Sequence, residues 1–267
     1  MRQRPDLPSV LDVQVTTHGQ LPDAEDYART KIGELGRLTH EPVLHAHVRL
    51  SEHGDPAVAR RLVAQANLDV NGRLVRAQVE GVTAREAIDR LEARLRRGLE
   101  RAAEHWEAKR GGVPRSAPHE WRHQSEPAHR PNYFPRPDSE RRIIRHKSYS
   151  LPARTVDEAA LEMELLDYDF HLFTERGTDQ DSVLYRESPT EYRLAQVNPE
   201  LVDGLAPFGT PLTISPQPAP RFTVDEAIQR IGLLGLPFLF FVDTSRDRGS
   251  VLYHRYDGHY GLITPAS

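Results

Sequence analysis

Apolar positions along this chain change period several times, and each change marks an element. Residues 11–15 alternate as a short strand, and from Pro22-Asp23 onward Ala24, Tyr27, Ala28, Ile32, Leu35 and Leu38 recur at helical spacing. Gly33 and Gly36 weaken that helix toward its end. Residues 43–50 alternate again, with Leu44, Ala46, Val48 and Leu50 on one face and His45, His47 and Arg49 on the other. Leu62, Ala64, Ala66, Leu68 and Val70 lead to Asn71-Gly72, after which Val75, Ala77 and Val79 resume the period. Asn-Gly suits a type I′ hairpin, whose two central residues both need positive φ. Thr83 with Glu86 three residues on reads as a capping box, opening a helix with the apolar face Ile88, Leu91, Leu95, Leu99 and Ala102. The order is β-α-β-β-β-α.

Charge sharpens the last helix. Arg90, Arg94, Arg97 and Arg101 follow one another at spacings of four, three and four, forming a cationic stripe away from the apolar face. Two readings stay open. Glu86, Asp89, Glu100 and Glu104 are close enough to make it an ordinary solvated face, whereas arginine's planar fork would also suit phosphate oxygens. The formal net charge of −4 is unevenly spread. Residues 1–106 hold 16 groups of each sign, 107–142 hold 8 basic against 5 acidic, and 143–267 hold 11 against 18. The two ends can therefore meet partners of opposite sign. The absence of cysteine excludes disulfides and thiolate metal or redox sites. No signal segment is apparent behind the first residues, and the longest apolar run, 231–242, is interrupted by Pro237 and too short for a bilayer. A soluble cytoplasmic protein is expected.

Between Ala108 and Ser139 six prolines accumulate without a sustained apolar period, as in a semi-extended tether. Within it His119-Glu120-Trp121-Arg122-His123 matches HExxH, in which two histidines one helical turn apart bind zinc and the glutamate acts as base. Pro118 and Pro127 leave no room for the long buried helix that this chemistry needs. A zinc hydrolase is a remote alternative, and His45 and His47 read as an exposed strand face. No nucleophile elbow, phosphate-binding loop or dinucleotide fingerprint is present, so neither an enzyme nor a cofactor is expected.

The C-terminal half repeats itself. Thr155-Val156-Asp157-Glu158-Ala159 recurs at Thr223-Val224-Asp225-Glu226-Ala227, and Ser182-Val183-Leu184-Tyr185 at Ser250-Val251-Leu252-Tyr253, both at an offset of 68. Leu165-Leu166, Phe170, Phe173 and Tyr192 agree with Leu233-Leu234, Phe238, Phe241 and Tyr260 at the same offset. Each copy opens a helix with a capping box, lined by Ala160, Met163 and Leu166 or by Ile228, Ile231 and Leu234, and follows it with three strands. A unit of about 55 residues is near the lower limit for an independent core, so pairing is expected.

The strand-helix order, the position of Asn71-Gly72 and residues 87–95, AIDRLEARL, resemble the N-terminal domain of the ribosome hibernation-promoting factors, also called ribosome-associated inhibitors or sigma-54 modulation proteins. The repeats resemble the C-terminal domain of the long members. The first keeps Ile144-Arg145-His146-Lys147 and Met163-Glu164-Leu165-Leu166 but has Pro189-Thr190 at an Asp-Gly turn and Tyr192-Arg193-Leu194-Ala195 at a Tyr-Gly-Leu-Ile block. The second keeps Tyr253, Asp257-Gly258 and Tyr260-Gly261-Leu262-Ile263, while Pro216, Pro218 and Pro220 interrupt its opening strand.

The fold expected is α+β: a double-stranded-RNA-binding-like domain over 7–106, a Pro-rich linker over 107–142, and repeats over 143–198 and 212–265. The resemblance implies a factor that sits in the decoding channel of the small subunit and inhibits translation. It would contact 16S-type rRNA and ribosomal proteins, with no membrane or DNA partner. Arg90, Arg94, Arg97 and Arg101 are the first candidates for rRNA contact, with Arg29, Lys31, Arg37, Arg73 and Arg76 after them. In the family the C-terminal domain couples two ribosomes as a homodimer. A tandem copy permits both halves of that interface to come from one chain, around Phe170, Tyr185, Phe238, Phe240 and Tyr253, at the high effective concentration set by residues 198–211. The expected outcome is an intramolecular pseudo-dimer that silences single ribosomes. The alternatives are a ribosome-pairing factor and a protein-interaction module tethered to the ribosome.

Overall fold

A computed structural model of the chain describes residues 11–39, 41–52, 60–109, 136–188, 191–255 and 257–266. The HExxH segment, most of the Pro-rich stretch and the Pro189-Thr190 pair lie outside the described residues. The structure is mixed α+β and divides into two compact units, one carrying a four-stranded sheet and the other two five-stranded sheets.

In the first unit β1 (Val13–His18), β2 (Val43–Glu52), β3 (Leu62–Val70) and β4 (Arg73–Gly81) lie in sequence order. β1 runs parallel to β2, which requires the crossover supplied by α1 (Ala24–Gly33) and the 3-10 turn Glu34–Arg37; the other pairs are antiparallel. The break from α to 3-10 geometry falls at Gly33, where the helix was expected to weaken. Asn71 and Gly72 have φ of 51° and 81°, the signs a type I′ turn needs. α2 (Ala84–Lys109) starts at Thr83, whose hydroxyl accepts from the Glu86 amide at 3.2 Å. The return bond departs from the expected box, because Glu86 accepts from the Val82 amide (2.8 Å), one residue before the cap.

Leu44 also departs from expectation. It is 62% exposed because a bulge between Val43 and His45 makes it the extra residue, which turns it away from the face shared by Ala46, Val48 and Leu50. Those three, with Ala64, Ala66, Leu68, Val75 and Ala77, are buried, as are Ala28, Ile32 and Leu35 of the first helical segment and Ile88, Leu91, Leu95 and Leu99 of α2. Gly81 permits a close approach of strand to helix: a Cβ there would stand 2.6 Å from the Ala87 amide nitrogen. This pins the first turn of α2 to the end of β4.

In the second unit the first repeat contributes β5 (Ile143–Tyr149), β6 (Ala153–Arg154), α3 (Val156–Leu165), β7 (Phe170–Glu175), β8 (Gln180–Ser188) and β9 (Glu191–Gln196). The second contributes β10 (Leu212–Ile214), β11 (Arg221–Phe222), α4 (Val224–Leu234), β12 (Phe238–Asp243), β13 (Arg248–His254) and β14 (Tyr260–Pro265). The sheets run β10-β9-β8-β7-β6 and β11-β12-β13-β14-β5. Each repeat's opening strand is thus completed against the other repeat: β5 pairs in parallel with β14, and β10 with β9. The segments that kept the family-like pattern meet in one sheet, where Gly261, Leu262 and Ile263 stand opposite Arg145, His146 and Lys147. The divergent segments meet in the other, and the prolines after Ile214 hold β10 to three residues.

Both repeat helices carry the expected reciprocal caps, Thr155 with Glu158 and Thr223 with Glu226. α4 ends differently from expectation: Gly235 takes φ 62° and turns the chain, leaving Leu234 half exposed while Leu236 packs on the core. The segment joining the repeats is held along its length. Asn198 caps the turn Pro199–Gly204, the buried Glu175 carboxylate accepts from the Ala206 amide (3.0 Å), and Asp157 accepts from the amides of Gly209 (2.9 Å) and Thr210 (2.8 Å).

Candidate nucleic-acid interface

The nine cationic candidates of the first unit fall into two groups, one on α2 and β4 and the other on α1 and its 3-10 extension. α2 packs over β3 and β4, and α1 packs on β1 and α2. On the β4 side, Arg90, Arg94, Arg97 and Arg101 rise along α2 on successive turns. Arg90 is exposed, 2.7 Å from Glu86, and its Nη1 donates to the Glu80 carbonyl of β4 at 3.2 Å, so it leans toward the sheet's free edge. Arg97 is exposed and enters no ion pair among the described residues. Arg73 begins β4, and Arg76, further along it, donates to Gln78 (2.9 Å).

Arg76 also belongs to a second polar surface, the sheet face away from the helices. Cross-strand register lines up Gln14, His47, Asn67 and Arg76, and beside them Thr16, Arg49, Gln65 and Gln78. Thr16 and His47 are hydrogen-bonded at 3.1 Å. His47 and its neighbour His45 have no metal-ligating company, since no group of three or more His, Asp or Glu suited to a metal occurs among the described residues.

Arg29, Lys31 and Arg37 lie on the other side, in α1 and its 3-10 extension. Arg29 is engaged within its own helix by Glu25 (2.7 Å) and Asp26 (3.1 Å). Lys31 reaches Asp89 of α2 at 3.5 Å, and the neighbouring Tyr27 phenol and Asp89 carboxylate hold its ammonium above the ordinary lysine pKa. Sequence patterning passed over the residues that organise this corner. Tyr27 donates to Asp89 (2.6 Å), and Arg85 stacks its guanidinium 4.7 Å from the Tyr27 ring. Arg85 falls outside the four-three-four spacing of the stripe, so only a contact between helices could reveal it. The arrangement offers no nucleophile or paired acid and base. Guanidinium and amide donors of this kind suit an extended anion.

The five aromatic residues singled out in the repeats are brought together. Phe170 stacks on Phe238 with ring centres 4.8 Å apart, Tyr253 lies 5.6 Å from Phe170, and Tyr185 meets Phe238 edge-on at 5.4 Å. Phe240 joins the same core with Leu172, Val183, Val251 and Ile263. At the offset of 68 this core is nearly a list of equivalent pairs: Phe170 with Phe238, Leu172 with Phe240, Val183 with Val251, Tyr185 with Tyr253, and Ala195 with Ile263.

An α+β unit with a basic helix, followed by a duplicated β-rich module, is the class these features define. The chain belongs to the sigma 54 modulation protein / S30EA ribosomal protein family. That family's model matches residues 13–106, and the model of its C terminus matches twice, at 138–194 and 216–262. The chain is 36% identical over 212 residues to a dormancy associated translation inhibitor from two strains of Mycobacterium tuberculosis, covering 76% of this chain and 70% of the relative. The Thermus thermophilus Protein Y N-terminal domain is 28% identical, covers 34% of this chain and 97% of its own, and superposes with a TM-score of 0.29. Membership places the chain in a family of ribosome-associated factors and not among enzymes.

Proposed function

We propose that this protein is a cytoplasmic ribosome hibernation factor that inhibits translation on single, idle ribosomes. Its N-terminal domain, residues 7–106, acts as a double-stranded-RNA-binding-like module seated in the decoding channel of the small subunit. Arg90, Arg94, Arg97 and Arg101 contact the 16S-type rRNA backbone, and Arg29, Lys31, Arg37, Arg73 and Arg76 contribute at the margins. Phosphate contacts supply affinity, and the shape of the groove supplies position. The name and similarity of the mycobacterial relative support the inhibitory role.

The C-terminal repeats form an intramolecular pseudo-dimer, so the surface that would join two ribosomes is occupied within one chain. The observation that carries this reading is the exchange of opening strands, β5 onto β14 and β10 onto β9. Sedimentation of ribosomes with the purified protein tests both parts. The protein is expected to travel with single ribosomes, and abundant paired particles would overturn the self-contained pairing. Replacing the four α2 arginines with glutamine is expected to weaken co-sedimentation at least tenfold near physiological salt and to flatten its salt dependence. Unchanged binding would remove this helix from the interface.

A further inference from the structure

At the offset of 68, Gly249 occupies the position of Asp181 and Arg248 that of Gln180. These equivalent positions meet in the folded chain. Asp181 is buried, and its carboxylate accepts from Arg248 Nε (2.7 Å) and Nη2 (2.8 Å) and from the Gly249 amide (2.8 Å), with the Thr174 hydroxyl at 3.4 Å. A Cβ on Gly249 would lie 2.6 Å from the Asp181 Cβ and 3.0 Å from the Phe240 ring. One of the two facing positions must therefore lack a side chain, and here it is the second repeat's.

Consider each repeat meeting its own kind in this geometry. Two first repeats would force two Asp181 side chains into space that holds one, leaving two buried carboxylates without a cation. Two second repeats would set glycine opposite glycine and deprive Arg248 of the Asp181 carboxylate that takes both of its hydrogen bonds. Packing points the same way: the second repeat has the larger Phe240 and Ile263 where the first has Leu172 and Ala195, so like-with-like pairing overfills one core and leaves the other short.

We infer that Asp181, Arg248 and Gly249 are specificity-determining residues that let a first repeat pair only with a second repeat. The inference rests on the proposed pairing within one chain. Combined with the docked connector, it keeps the protein monomeric.

Sedimentation velocity and thermal unfolding of the full-length protein test it. The unaltered chain is expected to be a monomer; a dimer would overturn the pairing within one chain, on which the lock depends. Asp181→Gly is expected to lower the melting midpoint by about 5 °C and to permit self-association. Gly249→Asp is expected to do more damage. Transposing the lock together with the ring beside it, with Leu172→Phe, Gln180→Arg, Asp181→Gly, Phe240→Leu, Arg248→Gln and Gly249→Asp combined, is expected to restore the monomer and most of the midpoint, because the same ion pair is rebuilt in the opposite sense and the Cβ at 249 no longer meets the Phe240 ring. An Asp181→Gly protein of unchanged mass and midpoint, or a transposed protein as damaged as Gly249→Asp alone, would overturn the lock. Should the glycine variants not fold, Asp181→Asn keeps the shape without the charge, and an unchanged midpoint there is equally decisive.

Discussion

The two C-terminal sheets share a strand plan and differ in what fills it. In the second repeat Phe222 and Leu239 pack with Ile231, Phe241, Leu252 and Tyr260 in an apolar core that also takes in Ile143 from the exchanged strand. At the equivalent positions the first repeat has Arg154 and His171, gathered around Glu162, with Arg154 Nε at 2.8 Å and His171 Nε2 at 3.6 Å from its Oε2. The first repeat also holds the connector through Asp157 and Glu175, whereas among the described residues Asp243, the counterpart of Glu175, engages its own turn at Ser245 and Arg246. Both repeats bury an apolar core, with Val156, Ala159, Met163, Phe173, Leu184 and Leu194 in the first, but the first adds a polar cluster where the second has apolar side chains. The core between the copies is common property, built from equivalent residues of both.

That comparison can be broken most directly at the common core. Phe240→Ala and Leu172→Ala occupy equivalent positions and are each expected to cost about 3 kcal/mol. Either should move a single cooperative denaturant transition of the C-terminal unit. Two transitions, with only one of them moving, would show that the repeats unfold independently.

A smaller effect separates the copies. Asp157 and Asp225 both sit in the first turn of a repeat helix, so both interact favourably with the helix N-terminus, but only Asp157 holds Gly209 and Thr210. Asp157→Ala is expected to destabilise by about 1 kcal/mol more than Asp225→Ala, read from urea midpoints. Equal losses would mean that the docked connector contributes nothing to stability.

The smallest effect is a pH dependence confined to the first repeat. Burial raises the Glu162 pKa, but the neighbouring His171 and Arg154 outweigh it, leaving the carboxyl below its ordinary range. Its stabilisation is therefore complete above the unfolded value of about 4.3 and is lost as pH falls through the lower folded value. Glu162→Gln is expected to flatten the acid limb of stability against pH by about 1 kcal/mol or less. At the equivalent position the second repeat has the exposed Arg230, so Arg230→Gln should leave the acid limb unchanged.

Much of this architecture is legible in the residues. The Asn71-Gly72 turn, the start of α2 after Thr83 and the caps at Thr155 and Thr223 are local chemistry and need no tertiary information. The exposed Leu44 and Leu234 escaped the pattern because a bulge and a left-handed cap each depend on how neighbouring backbone pairs. The candidate interface was half legible: the α2 stripe follows from helical spacing, while Arg85 and Tyr27 become partners only when α1 lies against α2.

The sequence by itself determined the elements, their faces, the duplication and its register, because hydrophobic period, capping and turn preferences act over a few residues. Tertiary structure alone decided which strand completes which sheet. Alternation assigns a strand's faces but not its edge partner, since backbone amides and carbonyls are the same in every residue but proline. Only the paired fold brings the retained β5 beside the retained β14, and only there does the difference between Asp181 and Gly249 acquire a meaning.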